Sequence, residues 1–186
     1  MALFYLVRHG EPTYEHMLEN GFWGFGRDFA PLTDRGREQA EATAKDARLT
    51  GAELIVSSPY TRALQTAQII SQETGLRVVV ELDLHEWIPD LTNQYKLSEE
   101  SFACARDFTE HHGEYPTGTA LRWETLSHMR QRMRRVADKY SEYDKVIFVG
   151  HGMAFRCLKY IEKMQPGEIV ECLYEKGQTD CEYSFT

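Results

Sequence analysis

Two short, unbroken apolar runs stand near opposite ends of the chain. Leu3-Phe4-Tyr5-Leu6-Val7 stops at Arg8-His9-Gly10-Glu11, and Lys145-Val146-Ile147-Phe148-Val149 stops at Gly150-His151-Gly152. Continuous apolar runs of this length are the pattern of strands buried on both faces of a sheet. Glu53-Leu54-Ile55-Val56-Ser57-Ser58 predicts a second strand in sequence and Arg77–Leu82 a third, followed by a loop or turn over Leu84–Asp90. Between the strands the apolar period lengthens to that of helices. Pro31-Leu32-Thr33-Asp34-Arg35-Gly36 offers Thr33 or Asp34 as the N-cap of a helix to about Leu49, with Ala40, Ala44 and Ala47 on one face. Ser58-Pro59 opens another to about Thr74, with Ala63, Ala67 and Ile70 inward and Gly75 as its stop. Leu97–His111 has a moderate helical pattern. Glu124–Tyr140 has a strong one, with Leu126, Met129, Met133, Val136, Ala137 and Tyr140 at helical spacing. A helix over 153–163, a stop at Pro166-Gly167 and two strands near 168–175 and 179–185 complete the expected elements. Residues 14–31 follow neither period. Tyr14, Phe22, Trp23, Phe25 and Phe29 alternate there with Gly21, Gly24 and Gly26, which reads as a long loop near the strand ends.

Strands alternating with helices of this length imply right-handed βαβ units. The expected fold is α/β, a three-layer α/β/α sandwich with a mostly parallel central sheet covered on both faces. In such sheets the ligand crevice lies beyond the carboxyl ends of the strands. Arg8, His9, Arg62 and His151 all fall just after predicted strand ends, and so share one rim.

With 186 residues and no internal repeat, low-complexity tract or linker, one domain over residues 1–186 is the economical reading. The net charge of −8 leaves no basic stripe for phosphate backbones, which argues against nucleic acid as a partner. The one dense basic run, Arg130, Arg132, Arg134 and Arg135, reads as a solvated helix face. No apolar run approaches the ~20 residues needed to span a membrane. Cys104, Cys157, Cys172 and Cys181 lack metal-ligand spacing and no leader precedes the first strand, so free thiols and a cytoplasmic setting are expected. His16, His85, His111, His112 and His128 also lack ligand spacing, so neither a metal nor another cofactor is expected.

Two histidines, two arginines and a carboxylate suit phosphoryl transfer. Arginine holds phosphate oxygens with paired hydrogen bonds, and a neutral imidazole can carry a phosphoryl group covalently. An acid must protonate the departing alkoxide, and the same group can then activate water.

Arg8-His9-Gly10-Glu11 resembles the RHG signature of the histidine phosphatase superfamily, the group that includes cofactor-dependent phosphoglycerate mutases. Leu32-Thr33-x-x-Gly36-x-x-Gln39-Ala40, Ser57-Ser58-Pro59-x-x-Arg62-Ala63-x-Gln65-Thr66-Ala67, and Gly150-His151-Gly152 with Arg156 are similar to further blocks of that family, in the same order. The resemblance implies a phosphoglycerate mutase-like fold. It makes His9 the phosphorylated nucleophile, with Arg8 and Arg62 on the phosphoryl oxygens and His151 and Gly152 completing their binding site. His151 is further expected to help by its charge. Glu86 stands where the family places its proton donor, with Asp83 and Asp90 as alternatives. The chain departs from the family in having Pro12 after the RHGE tetrapeptide and Glu15 where Asn is usual, and a carboxylate at that place would repel phosphate. Trp87-Ile88-Pro89-Asp90 replaces the family's turn after the acid, and Arg122-Trp123 precede Glu124.

The expected activity is metal-independent hydrolysis of a phosphomonoester, either a small molecule or a phosphoprotein. A mutase returning the phosphoryl group to a second hydroxyl, a non-catalytic phospholigand-binding protein and a metallohydrolase built on His9, His151 and Glu86 are the rivals. The short 88–120 segment favours the phosphatase over the mutase, whose family members carry a longer insertion. Oligomeric state is open, a homodimer included. The aromatic loop 22–29 suits either packing on a substrate's leaving group or burial over the sheet edge.

Overall fold

Strand β1, Ala2–Arg8, places Phe4 and Leu6 on one face of the sheet and Tyr5 and Val7 on the other, all buried. The computed structural model describes residues 1–95, 98–119, 122–178, 183 and 185. Helix α1, Glu15–Glu19, and a 3-10 turn, Gly24–Phe29, break up the expected loop before helix α2, Asp34–Ala44. Strand β2, Leu54–Ser57, helix α3, Thr61–Thr74, and strand β3, Val78–Val80, follow. Helix α4 spans Ser98–Glu110, α5 Leu126–Tyr140, β4 Lys145–Gly150, α6 Gly152–Phe155 and β5 Ile169–Tyr174.

The five strands lie in the order β3-β2-β4-β1-β5. All neighbours are parallel except β1 and β5, which are antiparallel. Ala44 of α2 and Ala63, Ala67 and Ile70 of α3 cover the Tyr5–Val7–Ile147–Val149 face. Met129, Met133 and Val136 of α5, with Phe108 of α4 and Phe155 of α6, cover the Phe4–Leu6–Phe148 face. This is the expected three-layer arrangement.

The helix starts follow local chemistry. The Thr33 hydroxyl accepts from Gly36 N–H at 2.9 Å, and the Thr125 hydroxyl from His128 N–H at 3.2 Å, each meeting one orphan donor of a first turn. Gly75 ends α3 at φ +73°, a left-handed conformation that glycine adopts without a Cβ clash. The helix expected over 153–163 closes after four residues. Arg156 turns its guanidinium onto the carbonyls of Ile161 and Glu162, and the chain doubles back there instead of extending. The second of the two expected terminal strands, and Cys181, lie largely outside the described residues. Cys104, Cys157 and Cys172 are buried. No helix among the described residues is long and apolar enough to cross a membrane.

The arginine run of α5 is not a solvated face. Arg135 is exposed and pairs with Asp83, but Arg132 is 1% exposed. Its Nε and Nη2 donate to the two carboxylate oxygens of buried Glu124 at 2.6 and 2.8 Å. Its Nη1 donates to the backbone carbonyls of Asp83 and His85 at 2.6 and 2.7 Å. Periodicity misses this because arginine reads as polar at any position. Helical spacing puts Arg132 beside Met129 and Met133, on the buried side. Glu124 is half of a buried fork that clamps the 83–88 loop to α5.

Removing one member of such a pair strands a buried charge, a loss of about 3–5 kcal/mol. Arg132→Ala should therefore lower the urea midpoint of unfolding strongly, whereas Arg135→Ala, which breaks an exposed pair, should change it little. Equal effects of the two substitutions would contradict the clamp.

Candidate active site

Arg8 faces Gly150 across the parallel β1–β4 ladder, so His9 and His151 leave adjacent strands at the same level. The His9 amide continues the ladder by donating to the Gly150 carbonyl at 3.1 Å. The two imidazole centroids lie 5.0 Å apart with the rings at 62°. His9 is 5% and His151 0% exposed.

His9 Nδ1 lies 2.7 Å from the carbonyl oxygen of its neighbour Gly10. A carbonyl can only accept, so the ring proton sits on Nδ1 and the lone pair on Nε2. Arg62 agrees with this polarity, since its Nε–H donates to His9 Nε2 at 3.2 Å. Burial, reinforced by the Arg62 charge, lowers the His9 pKa to about 3. The imidazole is therefore neutral at ordinary pH.

The residues around Gly10 and Glu11 hold this turn in place. Thr66 accepts from Gly10 N–H at 3.1 Å and donates to the Arg62 carbonyl at 2.8 Å, linking the turn to α3. Gln39 accepts from Glu11 N–H, and Thr33 donates to the Glu11 carboxylate. A Cβ on Gly10 would lie 2.2 Å from the Gly36 carbonyl oxygen, so the exit of β1 and the first turn of α2 meet backbone to backbone.

His151 Nε2 is 2.8 Å from the Ser58 hydroxyl, while Nδ1 is buried with no hydrogen-bond partner. Burial, then the charge of Arg62, holds His151 well below its ordinary pKa. The expectation that His151 contributes a positive charge is thus corrected: it is a neutral imidazole in a site already occupied by guanidinium charge.

Glu86 is fixed beside this strand end. Its Oε1 accepts from Trp87 N–H at 2.9 Å and Ala154 N–H at 3.0 Å, and its Oε2 from Met153 N–H at 3.3 Å. The carboxylate therefore caps the short helix that Gly152 opens after His151. Glu86 lines a cavity of about 180 Å³ together with Arg62, Asp28, Tyr60, Arg27 and Tyr14. The alternatives for the acid lie elsewhere. Asp90 closes its own turn, accepting from the Thr92 amide and hydroxyl, and Asp83 pairs with Arg135.

Three placements differ from the expected site. The cavity opens in front of Arg62 and Tyr60 and not between the two imidazoles, because the rings meet edge to face and the Tyr60 ring closes on His151 at 5.0 Å. Arg8 donates through Nη1 to the Met164 carbonyl and keeps a buried, unpartnered Nε–H, and it does not line the cavity. Glu15 is exposed at the start of α1, and Tyr14 takes the place on the cavity wall. Among the described residues no three His, Cys, Asp or Glu side chains are grouped as metal ligands.

Asp28 was not legible as a site residue. Its Oδ1 lies 3.5 Å from Arg62 Nη1, and it hydrogen-bonds Tyr60. The Arg62 guanidinium in turn stacks 4.9 Å over the Tyr60 ring. Burial raises the Asp28 pKa to about 6 despite the Arg62 charge, with Glu86 adding repulsion. Its position shortly before the Leu32-Thr33 block, and the Tyr60 that precedes Arg62 in the Ser57-Ser58-Pro59 block, were the available signals.

The two shifts act oppositely on stability. His9, with its pKa lowered, contributes stability above 6.5 that is lost as pH falls towards about 3. Asp28, with its pKa raised, contributes stability at low pH that is lost as pH rises through about 6. Asp28→Asn removes that offset. The variant should lose stability on acidification more steeply than the parent over pH 4–6, by on the order of 1 kcal/mol per pH unit. Urea unfolding at pH 4.5, 5.5 and 7 reads this slope, and parallel curves for the two proteins would refute it.

Residues 4–174 match the family described as the histidine phosphatase superfamily, branch 1. A protein named "Probable phosphoglycerate mutase GpmB" from Erwinia tasmaniensis is 31% identical over 166 residues, which cover 85% of this chain and 73% of the relative. A protein of the same name from Yersinia enterocolitica is 31% identical over 170 residues, with the same coverage. The structure of mycobacterial glucosyl-3-phosphoglycerate phosphatase superposes with a TM-score of 0.64 at 25% identity, covering 84% of this chain and 77% of that one. A Thermus thermophilus protein shares the fold at a TM-score of 0.64 and 20% identity, over 91% of this chain and 92% of its own. With the match running from the first strand to the last described one, this chain belongs to the histidine phosphatase superfamily.

Proposed function

We propose that this protein hydrolyses a phosphomonoester through a covalent phosphohistidine on His9. The observation that carries this reading is the His9 tautomer. Gly10 holds the ring proton on Nδ1, and burial keeps Nε2 as a neutral lone pair facing Arg62. Such an imidazole is a nucleophile that needs no base to activate it.

In the first half-reaction His9 Nε2 attacks phosphorus and the P–O bond to the alcohol breaks. Arg62 must turn its Nε–H away from Nε2, and its guanidinium then takes up phosphoryl oxygens as paired donors. His151 offers a proton on the otherwise unpartnered Nδ1 to the same oxygens, and donors aimed at developing charge are worth about 3–4 kcal/mol each. Arg8 joins them only if its guanidinium leaves the Met164 carbonyl. Gly152 contributes chiefly by opening the turn that seats Glu86 beside His151. Glu86, through Oε2, whose one hydrogen bond is long, acts as the general acid that delivers a proton to the departing alkoxide. In the second half-reaction the Glu86 carboxylate takes a proton from water. The hydroxide attacks phosphorus, the P–N bond breaks, and inorganic phosphate leaves with His9 neutral again.

The names of the relatives favour a second reading, transfer of the phosphoryl group back to a phosphoglycerate. The charge of the cavity supports hydrolysis instead. Arg62 is already paired there with Asp28, so a substrate carboxylate would have to compete with Asp28 for that guanidinium. The proposed protein is a single-domain phosphatase in the cytoplasm that takes a soluble phosphomonoester and neither nucleic acid nor membrane.

His9→Ala should lower kcat on any turned-over ester by about 10⁴-fold or more and abolish acid-labile labelling of the protein. Glu86→Gln should slow alkyl phosphates far more than 4-nitrophenyl phosphate, whose leaving group needs no proton. Equal losses on the two esters would transfer the donor role to another residue, and labelling that survives in His9→Ala would end the phosphohistidine reading.

A further inference from the structure

A second cavity, of about 470 Å³, adjoins the first and shares Phe25, Asp28, Tyr60 and Ile88 with it. Beyond these shared residues it is walled by Phe29, Pro59 and Leu82. Three of its apolar side chains are unusually exposed: Phe25 at 49%, Phe29 at 59% and Leu82 at 72%. Isolated exposed apolar residues are ordinary, but several around one mouth mark a surface kept free for a ligand. The aromatic loop is thus not buried over the sheet edge. Its 3-10 turn, Gly24–Phe29, sets Phe25 and Phe29 on this mouth and Asp28 on the wall between the cavities.

Continuity selects the occupant. The first cavity carries Arg62 and Glu86, and anything bound there through phosphate extends its alcohol portion past Tyr60 and Ile88 into the second. Charge restricts that portion. The ionisable groups on the second cavity, besides the Tyr60 phenol, are Asp28, Asp83 and His85. Asp83 is already paired with Arg135, and burial lowers the His85 pKa and so favours the neutral ring. Among the described residues no lysine or arginine lines this cavity, so a carboxylate or second phosphate entering it would meet no cationic side chain on its wall.

We infer that the apolar cavity is the leaving-group site, and that the substrates are phosphomonoesters of alcohols with an uncharged aromatic or bulky apolar body. This assignment rests on the phosphatase reading above and adds the chemical class of substrate to it. A phosphoglycerate, small and carrying a carboxylate, fits neither the walls nor the charge.

The test compares 2-phenylethyl phosphate with ethyl phosphate, whose alcohols leave with similar basicity and differ by an aryl group, and with 3-phosphoglycerate. Phosphate release by the intact protein should show kcat/KM for 2-phenylethyl phosphate at least about 10-fold above that for ethyl phosphate, mostly through KM, as burial of a phenyl ring predicts. 3-Phosphoglycerate should be the poorest of the three. In the double variant Phe29→Ala/Leu82→Ala, whose exposed positions tolerate truncation, the ratio of the two esters should collapse towards one. Equal kcat/KM for the two esters in the parent, a ratio that persists in the double variant, or 3-phosphoglycerate as the best substrate would overturn the assignment while leaving the phosphatase reading intact. Release from none of the three would remove that reading and this assignment with it.

Discussion

The parallel pairing of β1 with β4 is the constraint on which the rest of this protein depends. One ladder, with Arg8 opposite Gly150, brings together two histidines from opposite ends of the chain. A shift of that register by one residue would move every side chain of β1 to the other face of the sheet. The register is protected because both faces are buried and differently packed. Phe4 and Leu6 meet the α5 side, and Tyr5 and Val7 the α3 side. The apolar runs that identify these strands therefore also fix where the imidazoles emerge.

Around that pair, the molecule controls charge by burial. Desolvation is the largest cause acting on His9, His151 and Asp28 alike. It keeps both imidazoles neutral and makes an aspartate hold its proton longer. Arg62 is the shared neighbour of all three. The site is thus organised about one guanidinium, which donates to His9, pairs with Asp28 and stacks on Tyr60.

Support for the site comes from residues that look ordinary in sequence. Arg132 and Glu124 anchor the backbone of Asp83 and His85 to α5, and Glu86 follows directly. Glu86 then binds the amides of Met153 and Ala154, so the loop after β3 and the turn after β4 are held as one unit. Placing a carboxylate through two hydrogen-bonded links limits its motion more than a surface loop alone could.

Much of this was readable in advance because its causes are local or periodic. Apolar runs, helical spacing, the N-cap at Thr33 and the Gly75 stop each depend on a few neighbouring residues. Alternation of strand and helix then leaves few topologies, and so His9, Arg62 and His151 could be placed on one rim. Polar residues whose role depends on what lies across from them stayed hidden. Arg132 has the same composition signal whether it faces water or Glu124, and Asp28 has the same signal whether it closes a turn or faces Arg62. Arg8, clear in its motif, is turned by the chain at Met164 onto a carbonyl that no short-range pattern announces. The sequence alone determined which strands are buried and which chemistry stands at their ends. Tertiary structure decided which charges meet, because that depends on distances and water exclusion between segments far apart along the chain.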